Sequence, residues 1–205
     1  MIYALVLLIL IGIGLSFYFL VIKKIPLELQ IQKLYEIENY VGVIDFYKKN
    51  EERLKSSIKA LFFYGASLYK IDDIANAILV LTPIEKTSEF QEFKYKLEYY
   101  ETLSDCFFNT GSFINAFYYF YQILKINPRD FKALLHIGKI YAANGQFKKA
   151  KIFLSDAKSI NPKNKDLLIL LGLIELEEKR YSESLTYFNV ARELDPRNPT
   201  LLFYI

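Results

Sequence analysis

The chain has 205 residues, 53% of them hydrophobic, and a net charge of +3. That length holds one anchored domain, and so slight a positive balance, with no long Lys/Arg cluster, excludes nucleic acid as a partner. One cysteine and one histidine exclude a Cys/His metal cluster, and no Gly-rich phosphate loop is present.

Residues 1–22, MIYALVLLILIGIGLSFYFLVI, carry no charged side chain. At helical rise the run spans roughly 30 Å, the thickness of a bilayer's hydrocarbon core. No basic residue precedes it and no small-x-small cleavage pattern follows it, so it reads as a retained single-pass anchor rather than a signal peptide. Lys23 and Lys24 stand directly after it, at the membrane interface, and the positive-inside bias places the rest of the chain at the cytoplasmic face. Gly12 and Ser16 are four apart, a packing signal for a second anchor helix. Pro26 is positioned to start the next helix, leaving no flexible linker between anchor and domain.

Beyond the anchor the chain repeats itself. Tyr40, Val43 and Tyr47 lie 34 residues before Ile74, Ala77 and Leu81, and Pro128, Pro162 and Pro196 are 34 apart. The same interval joins Ala116, Ala150 and Ser184, and also Phe120, Leu154 and Phe188. Ala77 and Ala116 are 39 apart, so about five extra residues sit within 82–94. Asp72 and Asp73 fall at a helix–helix junction, where acids serve as N-caps. In the unit 131–164, Leu134, Ile137 and Tyr141 mark one helix and Phe147, Ala150, Leu154 and Ala157 a second. Gly145 turns the chain between them and Pro162 ends the unit. A fixed period of this size marks a stacked array whose units bury their apolar faces only against one another.

The residues at these intervals resemble the tetratricopeptide repeat (TPR) family. Its pattern of bulky, Leu, small and aromatic residues in the first helix, then Ala, aromatic, Ala and Pro, is met by Tyr100, Leu103, Ser104, Phe107, Ala116, Phe120, Ile123 and Pro128. Residues 131–164 meet it with Leu134, Ile137, Gly138, Tyr141, Ala150, Leu154, Ala157 and Pro162. The unit 165–198 departs at Glu175, where an aromatic is expected, and at Lys179, where the others have Gly111 and Gly145, so its turn is expected to close differently. The expected fold is all-α: a transmembrane helix over 1–22, then an α-solenoid over 23–198. Its five TPR-like helical hairpins are 24–57, 58–91, 97–130, 131–164 and 165–198, and a short apolar helix follows over 199–205.

The resemblance implies a groove lined by the first helix of each hairpin. Its floor would carry Glu98, Glu101, Asp105 and Phe108, then Lys132, Leu135, His136, Lys139 and Ala142, then Asp166, Ile169, Leu173 and Leu176. Read along the array it passes from acidic to basic to apolar, which would orient a bound segment of complementary order. The alternative is that Glu101 and Asp105 pair with Lys132 and Lys139 across neighbouring helices. The clamp with which some TPR proteins hold a chaperone's C-terminal carboxylate lacks its cations, since Glu101, Asp105, Asp166 and Leu170 occupy those positions. In the aromatic helix 113–124, Phe113, Phe117 and Ile123 are expected in the seam and Tyr118, Tyr119 and Tyr121 outside. Cys106 reads as a small buried hydrophobe and His136 as a surface or groove residue. Leu201, Leu202, Phe203 and Ile205 form a C-terminal apolar patch that would cover part of the last hairpin, the remainder going to a partner or a second copy.

These residues imply no catalytic set, no metal and no cofactor. The expectation is a non-enzymatic, membrane-tethered scaffold that binds a protein or peptide at the cytoplasmic face of the inner membrane, with lipid contacted through residues 1–22. The alternative is an envelope-side accessory to cell-envelope assembly or secretion, as for bacterial proteins of similar layout.

Overall fold

The computed structural model describes residues 25–197 and Leu201. The expected anchor over 1–22, with Lys23 and Lys24, lies outside the described residues, as do Leu202, Phe203 and Ile205. Among the described residues no helix is long and apolar enough to cross a membrane. Those residues form helices and no strand. The chain divides into two compact units, residues 1–94 and 95–205.

The first unit contains α1 (Leu27–Glu36), α2 (Tyr40–Lys49), the single turn α3 (Glu51–Leu54), α4 (Ile58–Lys70) and α5 (Ile74–Leu81). Short polar side chains set the helix starts by accepting from amides that the first turn leaves without partners. Asn39 accepts from the Gly42 amide at 2.9 Å, and Ser57 from Ala60 at 3.2 Å. The core is aromatic: Tyr47 and Tyr64 stack at 4.2 Å, and Tyr35 leans on Phe63 at 5.0 Å. Pro83 lacks an amide hydrogen, and the chain tightens there into two 3-10 segments, Thr82–Lys86 and Ser88–Glu92. The extra residues are therefore folded. They bury Ile84 and Phe90 and set Phe93 edge-on to Phe62 at 5.5 Å.

The second unit is three antiparallel pairs: α6 (Lys96–Asn109) with α7 (Phe113–Ile126), α8 (Phe131–Ala143) with α9 (Phe147–Ile160), and α10 (Lys165–Glu177) with α11 (Tyr181–Leu194). Pro128 and Pro162 fall in the turns between pairs, and the next helix is capped two residues on. Asp130 accepts from the Ala133 amide at 2.8 Å and Asn164 from Leu167 at 3.0 Å. Within each pair, Ala116, Phe120, Ala150, Leu154, Phe188 and Ala191 are buried. Helices α8 and α9 approach so closely that a Cβ on Gly138 would lie 2.4 Å from the Leu154 side chain.

Every two-helix turn closes the same way. Glu38, Asp72, Gly111, Gly145 and Lys179 all have positive φ, from +59° to +75°. In each turn that residue's amide donates three residues back, and the next amide donates five back, as Gly145 to Ala142 and Gln146 to Tyr141, and Lys179 to Leu176 and Arg180 to Glu175. This is the Schellman arrangement, in which a left-handed residue satisfies the last carbonyls of a helix. Two expectations are corrected here. The fifth turn does not close differently; Lys179 adopts the glycine conformation and bears its cost. Asp72 is the left-handed residue and not an N-cap, a role held by Asp73 alone, which accepts from Asn76 at 3.4 Å.

The aromatic helix α7 also differs from expectation. Tyr119 is only 5% exposed and stacks on Phe107 at 5.6 Å. Phe113 is instead half-exposed at 45%, because it opens the helix at the edge of the pair, where its ring meets only one side of its surroundings, edge-on to Phe108 at 5.5 Å. Phe117 does reach the next hairpin, edge-on to Tyr141 at 5.4 Å.

Glu175, in place of an aromatic, sits buried in the seam between α9 and α10. Lys151 of α9 reaches its carboxylate at 3.1 Å and also meets Glu178, while Arg180 bridges Glu175 and Glu178. The seam is filled by ion pairs instead of a ring.

Replacing Lys179 by Gly removes the strain of a left-handed non-glycine residue and should stabilise the protein by about 0.5–1 kcal/mol in denaturant titration. Gly138→Ala should destabilise it by about 1–3 kcal/mol, since Leu154 must give way.

Candidate functional site

The first helices of the second unit bring most of the expected groove residues onto neighbouring surfaces. Asp105 on α6 and Lys132 on α8 form an ion pair at 2.6 Å. One of the cross-helix pairs expected as the alternative to an open charge gradient is therefore present. Glu98 and Glu101, near it on α6, and Lys139, about two turns further along α8, are half-buried. The Glu101 carboxyl is held above its ordinary range, first by burial and then by the nearby Asp130 charge, which Lys132 only partly offsets. The face is thus an acidic cluster with one cation spent on it, followed by Lys139.

The apolar positions are used differently. Leu135 was expected on the groove floor, but it is 6% exposed and belongs to the core with Leu134, Leu154 and Leu171. Its place on α8 turns it towards α9 and α10. Ile169 and Leu173 are partly buried against a terminal cluster of Leu168, Phe188, Ala191 and Leu201. Leu176 is half-buried. Leu201, the described member of the C-terminal patch, is helical and 1% exposed, so it seals part of the last hairpin.

His136 is half-buried, packed into the second unit on one side. Its ring stacks on Phe120 at 4.8 Å and meets the Phe108 edge at 4.4 Å, and its Nδ1 is buried without a hydrogen-bond partner. Burial pushes the imidazole down to about 4, helped by Lys139 and Lys132 and opposed by Asp105 and Asp166. Phe120 was legible only as a core residue of α7; no sequence spacing joins it to a histidine on α8. Cys106 is fully buried, and burial drives its thiol up to about 12, which removes the thiolate a nucleophile needs. Among the described residues no group of three or more His, Cys, Asp or Glu could hold a metal ion.

The folded His136 binds its proton later than the unfolded chain does. Stability is full above about pH 6.5, the ordinary histidine value, and declines as pH falls towards about 4. Denaturant unfolding across this range should show that slope, and His136→Phe should abolish its His136 part.

Residues 100–197 match the family model described as the TT21 fifth ARM repeats domain. No curated protein matches the chain. The fold is similar to the crystal structure of YrrB, described as a TPR protein with an unusual peptide-binding site, at TM-score 0.74 and 16% identity, covering 87% of this chain and 90% of that one. A MamA AMB-1 structure matches at TM-score 0.72 and 13% identity over 87% of this chain and 95% of that one. Another MamA crystal structure matches at 0.66 and 21% identity over 80% and 92%. With its 34-residue interval, five left-handed hairpin turns and these likenesses, the chain is a helical-repeat protein with the tetratricopeptide-repeat fold.

Proposed function

We propose that the chain is a non-enzymatic scaffold, tethered to the inner membrane by residues 1–22, that holds a partner protein or peptide on the first-helix face of its second unit at the cytoplasmic side. The observation that carries this reading is the polar face of α6 and α8. Glu98 and Glu101 share α6 with Asp105, which pairs with Lys132, and Lys139 follows about two turns further along α8. Such a face would take a segment with a basic group first and an acidic group after it. YrrB, the solved structure with a peptide-binding site, lends support by fold alone. Tethering rests on the uncharged run 1–22, and the cytoplasmic side on Lys23 and Lys24.

The second reading, an envelope-side accessory, keeps the same face and reverses the topology. A reporter active only in the cytoplasm, fused after Ile205, separates the two: signal supports the first and silence the second.

A photo-crosslinker at Lys139, in intact membranes, should give one defined adduct that Glu101→Lys reduces at least fivefold. The same probe at exposed Lys163 should not give it. Equal yields at the two positions would overturn the proposal.

A further inference from the structure

A second surface lies away from that face. Phe113, Ile114 and Phe117 of α7, Ile140 and Tyr141 of α8 and Lys149 of α9 surround an open hollow of about 710 Å³, at the turn end of two successive hairpins. That volume is in the range of sites that accept a small ligand or a few side chains, roughly 300–1,000 Å³. Part of its apolar wall is left uncovered: Ile114 is 87% and Phe113 45% exposed, and Ile114 contributes little to the fold from there. Contiguous exposed apolar surface with a polar edge is characteristic of interaction sites. Here the edge is supplied by Ser112, Asn144 and Gln146.

The charge around the hollow selects its occupant. Lys149 is the one charged residue in the lining, and no acid is present there. Lys149 and Lys148 also line an adjoining hollow of about 400 Å³ whose single acid is Glu178. Glu178 is already committed to Lys151 and Arg180. Among the described residues neither Lys148 nor Lys149 is in an ion pair, and helix α9 has no acid in its first turn. The Lys149 ammonium lies 5.5 Å from the centre of the Tyr141 ring, so the aromatic wall holds the cation at the rim.

We propose that this hollow is a second docking site, which takes a short acidic segment of another protein. An apolar side chain packs on the wall formed by Ile114 and Phe117, and a neighbouring carboxylate reaches Lys149 and Lys148. A basic segment meets two unpaired ammonium groups and is repelled. A purely apolar one leaves both cations facing it without compensation. This surface shares no residue with the face of α6 and α8, so the two sites stand or fall separately.

The test uses the full-length chain in neutral phosphatidylcholine nanodiscs, with empty discs as the blank. Two fluorescein-labelled peptides serve as probes, Asp-Asp-Leu-Phe-Asp-Leu and its counterpart with every Asp replaced by Lys. The acidic peptide should bind measurably tighter by anisotropy. Ile114→Ser should weaken it at least fivefold. The double variant Lys148→Glu, Lys149→Glu should weaken it at least tenfold and turn the preference towards the basic peptide. All three positions are exposed, and circular dichroism checks that the variants fold. Equal binding of the two peptides, binding of neither, or an unchanged affinity in the double variant would overturn the proposal. So would a loss with Lys139→Glu in its place, which would put the peptide on the other face.

Discussion

One backbone conformation carries the architecture. A single left-handed residue after each first helix satisfies the helix's final carbonyls and turns the chain back on itself. Glu38, Asp72, Gly111, Gly145 and Lys179 all hold it. The second helix then lies antiparallel and near enough for the small position opposite it to matter. With Gly138 beneath Leu154 the helices touch through backbone and methyl groups, with no room for a further carbon. The faces of α6 and α8, and the hollow at the turn end of those hairpins, are both by-products of that geometry. First helices are set side by side, and the turns are stacked at one edge.

The period was the legible part of this chain. Prolines and small residues at fixed intervals announce hairpins because each does a local job that no other residue type does as well. Pro162 stops a helix, and Gly145 accepts a left-handed φ. Lys179 misled for the same reason, since the turn is required by helix packing and imposes itself on whatever residue stands there. Asp72 is a second instance, a good capping residue drawn one position out of register into the strained site. The five extra residues were visible as a count, but their 3-10 fold and the burial of Phe90 and Phe93 depend on contacts with α4.

The site was less legible, because its character depends on partners from different repeats. Lys132 and Asp105 were recognisable as cross-helix candidates from their repeat positions, and they pair. Leu135 shares the groove register yet faces the core, because α8 is packed on both sides by α9 and α10. His136 stood alone in the sequence. Its environment of Phe108, Phe120 and two lysines is assembled only in three dimensions. The hollow at Ile114 had no sequence signature beyond an aromatic-rich helix.

The buried charges at Glu175 give the last hairpin a chemistry unlike its neighbours. An aromatic seam is indifferent to dissolved ions, whereas attraction among Lys151, Glu175, Glu178 and Arg180 is screened as ions accumulate, over a Debye length of about 8 Å at physiological strength. The Lys151–Glu175 contact is more buried than the Asp105–Lys132 and Lys165–Asp195 pairs of the same unit, so it is screened less than they are, and the joint between α9 and α10 keeps its attraction at salt that already weakens those two.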